Sequence, residues 1–198
     1  SRRVGVRAVG LAFAVREAGY KVIYQPASTV IHFEGITAGT DTGSGVKQYQ
    51  VVNREKFLDK WADALRRQPK PHPPTPIGIA ATHRATRRAL IIDATTPAPD
   101  QDSGSVRMVN FMRVLIDLGT QVSFMAENRA FIERDTQALQ QLGVEVLYHP
   151  YVSDPVAFFR ERGHEFDVIL LSRHYIATNY VALVREYAPQ ARLLFDTV

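Results

Sequence analysis

Cysteine is absent from this chain of 198 residues, which excludes disulfides and thiolate metal sites and fits a reducing compartment. No apolar run approaches the roughly 20 residues that span a bilayer. Residues 1–3 carry no signal-peptide core. With 45% hydrophobic and 22% charged residues, the composition is that of a globular protein with one or two cores. We therefore expect a soluble, cytoplasmic protein.

The chain also lacks a basic stripe with interleaved aromatic residues, although its formal net charge is +4. Its lysines and arginines are spread along predicted helices and around a central linker. A charge total alone is weak support for nucleic-acid binding, so we expect no nucleic-acid partner. A mildly basic surface also suits phosphorylated substrates or an anionic membrane face, which leaves peripheral association with an inner membrane open.

Five prolines lie between positions 69 and 76. Proline fixes φ and removes a backbone donor, so this run predicts a semi-rigid spacer rather than a helix or a strand. It separates a first segment, 1–68, from a second, 87–198, with a linker over 69–86.

The first segment predicts a small, partial α+β unit. Helical periodicity covers 4–18 and 47–67, with Phe57 and Trp61 as packing residues. Two short strands are expected at 21–24 and 28–33, followed by a glycine-rich loop.

Beyond the linker, strands and helices alternate regularly. Strands are predicted at 89–93, 121–126, 144–148, 167–172 and 192–196. Helices are predicted at 106–118, 129–142, 155–162 and 175–187, and three of them are followed by glycine. This order predicts an α/β fold with a doubly wound parallel sheet.

The loop after the first of these strands carries small residues directly into a helix. In doubly wound sheets, ligands bind beyond the carboxyl ends of the strands, and helix N-termini favour anions. Ser103, Gly104, Ser105 and Arg107 are therefore candidates for binding a phosphate or another anion. The alternative is that Asp102 or Ser103 caps the helix.

Three further residues are candidates. His174 follows the fourth strand and could donate to a sugar hydroxyl or a phosphate, the alternative being a local hydrogen bond. His32 lies close to Glu34 and forms with it a fragment of a divalent-metal site, unless the two make ordinary surface contacts. Asp93 is expected to hold the loop that follows it by bonds to backbone N–H groups.

The first segment carries a set of features that occur together and in order: residues 11–26, 32–35 and 39–41, then Lys47, Gln50, Asn53, Phe57 and Lys60-Trp61. In this, residues 11–67 resemble the C-terminal end of a family-2, GT-A-type glycosyltransferase. The resemblance implies a metal-dependent parent (Mg²⁺ or Mn²⁺), with His32 matching a metal-site histidine of some relatives. The family's acidic motif, which supplies the catalytic base, is replaced by residues 7–11, and these contain no carboxylate.

The second segment combines residues 89–93 with Pro97, Asp100, the run 102–105 and Arg107, and ends in Leu194-Phe195-Asp196-Thr197-Val198. It resembles the N-terminal Rossmann-like domain of a family-4, GT-B-type glycosyltransferase. In that fold the domain receives the acceptor, and its glycine loop approaches the donor phosphates without a cofactor. The donor-binding domain with its paired glutamates is not in the sequence.

The two resemblances together imply a piece of a bifunctional or tandem glycosyltransferase. The parent would transfer sugar from a nucleotide-sugar donor to a saccharide or lipid-linked acceptor in polysaccharide biosynthesis. We expect this chain to be inactive by itself, and no catalytic residue is assigned. The alternative is a non-catalytic, Rossmann-like module that binds a ligand or docks a partner.

Overall fold

A computed structural model describes residues 6–20, 22–23, 29, 31, 49–70 and 75–197. The chain divides into two compact units, Ser1–Thr75 and Pro76–Val198. The division falls inside the predicted proline-rich linker. No helix in the described ranges is long and apolar enough to cross a membrane.

The described residues of the first unit form three helices, α1 (Val6–Glu17), α2 (Tyr49–Lys60) and α3 (Ala62–Arg66). They correspond to the helices predicted at 4–18 and 47–67, the second of which breaks at Trp61. The indole of Trp61 is buried and stacks on Phe13 with ring centroids 5.4 Å apart, while Phe57 lies 5.9 Å from Phe13. Phe57 and Trp61 are packing residues, as predicted. The expected strands at 21–24 and 28–33 lie mainly outside the described residues, and the glycine-rich loop lies wholly outside them.

A short helix, α4 (Ile77–Ala81), opens the second unit and occupies part of the predicted linker. Pro76 is the last of the clustered prolines, so the residues after it can donate backbone hydrogen bonds. The first of these runs from Ala80 N to Pro76 O at 2.8 Å. Arg88 then donates to the backbone and side chain of Thr82 at 3.2 and 3.0 Å. The end of the linker is thereby part of the α/β unit.

The rest of this unit is a five-stranded sheet with helices between its strands. The strands are β1 (Arg87–Asp93), β2 (Thr120–Ala126), β3 (Glu145–Leu147), β4 (Val168–Ser172) and β5 (Arg192–Asp196). The helices are α5 (Ser103–Asp117), α6 (Glu133–Leu142), α7 (Pro155–Arg162) and α8 (His174–Tyr187), with a 3₁₀ turn at Gly163–Glu165. All paired strands are parallel, in the order β3-β2-β1-β4-β5. The predicted doubly wound, Rossmann-like fold is confirmed.

Successive side chains of β1 point to opposite faces of the sheet, and a hydrophobic core lies on each face. Leu90 and Ile92 face α7 and α8, where they join Phe159. Ile91 faces α5 and α6, where it joins Met112. Each of these side chains is fully buried and stabilises the fold by about 1.5–3 kcal/mol. The continuous apolar run of β1 follows from this two-sided burial.

The order of the strands in the sheet indicates where a ligand can bind. The chain moves from β1 outward through β2 and β3, then crosses to β4 on the other side of β1. The carboxyl ends of β1 and β4 therefore flank the point where the winding reverses. In doubly wound sheets a crevice opens at this switch point.

Candidate functional site

An ion pair joins the two strand ends at the switch point. Asp93 is the last residue of β1, and Arg173 directly follows β4. Arg173 donates from Nε to Asp93 Oδ1 at 2.8 Å, and this hydrogen bond raises the pKa of the guanidinium. The same carboxylate oxygen accepts from the N–H of Ala94 at 2.7 Å. The expected role of Asp93 in holding the following loop is thus observed.

A second ion pair lies beside the first. Arg107, on the first turns of α5, donates from Nη2 to the carboxylate of Asp196, the last residue of β5. The backbone also links the two pairs, because the N–H of Arg173 donates to the carbonyl of Asp196 at 2.8 Å. Arg107 and Arg173 are therefore both matched with carboxylates.

Asp102 caps the N-terminus of α5. Its Oδ1 accepts from the N–H of Ser105 at 2.8 Å and its Oδ2 from the Ser105 hydroxyl at 2.6 Å. These hydrogen bonds lower the pKa of Asp102, and the positive charge of Arg173 adds to the effect. The capping interpretation of this segment is therefore what the structure shows for Asp102 and Ser105.

The remaining small residues of this turn lie at the start of α5, with Gly104 half-buried. Ser103 and Arg107 also line an open groove of about 580 Å³ along the outer side of the helix. The other residues of this groove are Val106, Asn110, Phe111 and Val114. A phosphate site at residues 103–107 stays a prediction.

Three buried side-chain atoms have no hydrogen-bond partner within the described part of the protein, and all three lie at the carboxyl edge. They are Thr96 Oγ1 in the loop after β1, Glu127 Oε2 just after β2, and Ser172 Oγ at the end of β4. Glu127 is tied to the switch point by its N–H, which donates to the carbonyl of Asp93 at 2.8 Å. Leaving such a group unpaired costs about 1–3 kcal/mol, and buried polar groups in proteins normally bind a partner or water.

Helix α8 surrounds Glu127 with polar groups. Asn179 Nδ2 lies 3.5 Å from Glu127 Oε1. Burial, and then the neighbouring carboxylate of Glu127, raise the pKa of the Tyr180 phenol. Tyr180 therefore keeps its proton and remains a donor across the physiological range.

The structure places His174 at the same edge, as the exposed first residue of α8. It follows Arg173 directly, and its ring meets the edge of the Tyr175 ring with centroids 5.5 Å apart. His32 lies outside the described residues, so its predicted metal role stays a prediction. Within the described ranges, no group of three or more histidines and carboxylates could hold a metal ion.

Sequence reasoning identified the carboxyl edge but missed its unpaired groups. Thr96, Glu127 and Ser172 look like ordinary loop and strand-end residues in the sequence. The signal that could have found them is their position, because each lies at or just beyond the carboxyl end of a predicted strand.

The fold and this edge define the class of protein, a doubly wound α/β domain with buried polar groups at the carboxyl ends of its central strands. No family model matches the chain, and comparisons with curated proteins and with solved structures likewise give no match. Because one such fold supports many unrelated functions, the function has to be argued from the site.

Proposed function

We propose that the α/β unit binds the acceptor of a glycosyltransferase reaction, in which sugar passes from a nucleotide-sugar donor to a saccharide or lipid-linked acceptor. The observation that carries this proposal is the set of unpaired buried atoms at the switch point: Thr96 Oγ1, Glu127 Oε2 and Ser172 Oγ. The resemblance of residues 87–198 to the acceptor domain of GT-B transferases supports the same assignment.

The chemistry of the three atoms suits a sugar. A carboxylate oxygen only accepts hydrogen bonds, whereas the hydroxyls of Thr96 and Ser172 donate and accept. A sugar presents several hydroxyls on one rigid ring, and each can act in either role. A sugar hydroxyl can therefore act as partner to each of these groups.

The ion pairs of Arg107 and Arg173 favour a neutral ligand over a phosphate at the switch point. Arg107 is held by Asp196 and Arg173 by Asp93. The carboxylate of Asp102 lies at the N-terminus of α5, where an anionic ligand would otherwise bind. A donor diphosphate would have to displace one of these carboxylates, so we assign the acceptor rather than the donor to this edge of the sheet.

In the proposed reaction this unit orients the acceptor hydroxyl for attack on the donor sugar. Orientation of a reactant is itself a large part of enzymatic rate acceleration. The chain supplies no assigned catalytic base, so we expect it to bind acceptor without turning over nucleotide sugars.

The test compares two buried serines by thermal denaturation with and without sugars. Ser172→Ala removes a hydroxyl without a partner, so the ligand-free protein should be as stable as the wild type or more stable. Its stabilisation by saccharides should be reduced. Ser123→Ala is the matched control, because the Ser123 hydroxyl donates to Glu145 at 2.6 Å away from the crevice. That change should destabilise the protein and leave the saccharide-induced shift intact.

The ligand panel should contain saccharides, sugar phosphates and mononucleotides. Stabilisation by saccharides that is weakened in Ser172→Ala and Thr96→Val supports an acceptor domain. Stabilisation by mononucleotides alone would indicate an independent nucleotide-binding module and contradict the proposal. A uniformly flat response would also contradict it and would favour a partner-docking module.

A further inference from the structure

Three aromatic side chains form a connected cluster at the carboxyl edge, on the β2 and β3 side of the switch point. Phe131 follows β2, while Tyr148 and Tyr151 follow β3. The rings of Phe131 and Tyr148 have centroids 4.9 Å apart at 44°, and those of Tyr148 and Tyr151 are 5.4 Å apart at 86°. We call these three residues the aromatic platform.

The platform is exposed even though its rings touch one another. Phe131 is 45% exposed and Tyr151 is 80% exposed, and Tyr148 lies half-buried between them. Exposed apolar area that is concentrated at one place commonly marks a binding site. Rings in contact also lose little freedom when a ligand packs on them, because tyrosine and phenylalanine have only two side-chain torsions.

Backbone hydrogen bonds hold the two loops of the platform together. The N–H of His149 donates to the carbonyl of Arg129 at 2.9 Å, which joins the loop after β3 to the loop after β2. The N–H of Val152 donates to the carbonyl of Tyr148 at 3.0 Å, and the buried Val152 side chain belongs to the core. The platform is therefore pre-organised by the fold.

The charge of Arg134, near the platform, is already matched by carboxylates. Arg134, three residues after Phe131, makes two hydrogen bonds of 2.8 Å to Asp100 and one of 2.9 Å to Asp135. Its positive charge is thus matched by two carboxylates and offers little attraction to phosphates or to an anionic membrane.

An aromatic face with a hydroxyl at its rim fits a ring that is apolar on its flat side and polar at its edge. A pyranose has this character, since its C–H groups form the flat faces and its hydroxyls the rim. The platform also lies on the same edge as the unpaired Oε2 of Glu127, and Phe131 comes four positions after that residue in the chain. β1 and β3 are two strand spacings apart, or about 10 Å, a span that a short oligosaccharide covers.

We propose that Phe131, Tyr148 and Tyr151 form a stacking subsite for a sugar ring of an acceptor whose neighbouring unit occupies the switch-point crevice. This inference rests on the proposed acceptor function and extends it. It assigns an acceptor of two or more sugar units rather than a single sugar.

The test is a titration of the full chain with glucose and with malto- and cello-oligosaccharides of two to four units. For the wild type we expect affinity to rise by roughly two- to tenfold from the monosaccharide to the longer members of a series, the gain that a contact between aromatic rings provides. Tyr151→Ala should abolish this gain, so that the longer members of a series bind no more tightly than the monosaccharide. Tyr151→Phe should keep most of the gain because the ring remains.

Tyr20→Ala is the matched control, since Tyr20 is 71% exposed and lies in the first unit. It should change neither monosaccharide affinity nor the dependence on length. Monosaccharide binding that is weakened in Ser172→Ala but shows no dependence on length would overturn the subsite and leave the proposed function standing. Absence of any saccharide binding would overturn both.

Two further probes test for occupants of the platform other than a sugar. Uridine and guanosine monophosphates test for a nucleobase, and vesicles of phosphatidylcholine with phosphatidylglycerol test for a membrane surface. Binding of either that is lost in Tyr151→Ala and kept in Tyr20→Ala would overturn the sugar subsite. We expect neither probe to distinguish these two variants.

Discussion

Arg173 reaches Asp93 from a backbone conformation that L residues rarely adopt. Its φ is 78° and its ψ is 144°, and its Nε lies 2.8 Å from Asp93 Oδ1. This conformation is open to glycine but costs other residues on the order of 1–3 kcal/mol. The ion pair therefore accompanies local strain at the switch point, and such strain is characteristic of binding and catalytic sites.

Replacing Arg173 by alanine and by glycine separates the effect of backbone strain on stability from the effect of the ion pair. Both variants lose the bond to Asp93, but only glycine relieves the backbone. We expect Arg173→Gly to be more stable than Arg173→Ala by about 1 kcal/mol, even after allowing for the greater freedom of glycine in the unfolded chain. Urea denaturation followed by far-ultraviolet circular dichroism measures the difference. Equal stabilities, or a more stable alanine variant, would show that the backbone at 173 is not strained.

A second prediction concerns the limited space around Gly163. It follows α7, as predicted, but its φ of −54° needs no glycine, and the chain continues into the 3₁₀ turn. The reason for glycine there is the close approach of α8, because a Cβ at position 163 would lie 2.6 Å from the carbonyl oxygen of Tyr187.

Gly163→Ala should destabilise the protein by about 1–3 kcal/mol, since a backbone atom has to move to admit the methyl group. Gly78→Ala is the control. A Cβ at position 78 in α4 would meet only the end of the Arg162 side chain at 3.8 Å, and alanine favours a helix. We expect that variant to be neutral or slightly more stable. If both changes have the same effect on the midpoint of urea denaturation, the packing argument fails.

The sequence predicted the order and type of every strand in the α/β unit because apolar runs and helix-ending glycines are local signals. Helix starts were less well predicted. α5 begins at Ser103 rather than at 106, because the side chain of Asp102 caps it three residues earlier. α6 begins at Glu133 rather than at 129, because Arg129 has a positive φ of 49° and the chain there runs into the loop of the platform.

The candidate site was harder to predict from the sequence than the fold was. Asp93 could be predicted, since its bond to Ala94 N is local. The partners of Arg173 and Arg107 lie 80 and 89 residues away in the chain, so only the folded sheet brings them together. Whether the Ser172 hydroxyl has a hydrogen-bond partner depends on every group around it, and no spacing pattern in the sequence indicates that.

Glu145 should give the protein a measurable dependence of stability on acid. It accepts hydrogen bonds from Arg162 at 2.8 and 3.0 Å and from Ser123 at 2.6 Å. Burial raises the pKa of this carboxyl, but the hydrogen bonds and charge of Arg162 outweigh burial and hold the pKa below its ordinary value of 4.5. The folded pKa is the lower one, so the stabilisation is present above the ordinary value and is lost as pH falls through the folded value.

Glu145→Gln removes this titration. At pH 7 we expect the variant to be less stable than the wild type by about 1 kcal/mol, since Glu145 is 37% exposed and water screens the pair. The difference should shrink as pH falls below about 4.5. Ser123→Ala keeps both charges and should retain most of the wild-type pH dependence. Urea denaturation at several pH values from 7 to 3 provides the measurement, and a difference that stays constant over this range would contradict the linkage.

The two units should unfold separately. Tryptophan fluorescence can report on the unfolding of the first unit. Its single tryptophan, Trp61, is the one buried residue among those described in the first unit. The second unit holds two cores built around a complete five-stranded sheet. Because stability grows with buried apolar area, the tryptophan fluorescence transition should occur at lower urea than the circular dichroism transition of the α/β unit.

Phe13→Ala removes the ring that stacks on Trp61 and should shift only the fluorescence transition, by roughly 2 kcal/mol given that Phe13 is half-buried. Phe159→Ala, in the core of the second unit, should shift only the circular dichroism transition, by about 3–5 kcal/mol because that ring is fully buried. Coincident transitions that move together in both variants would show a single cooperative structure and contradict independent unfolding.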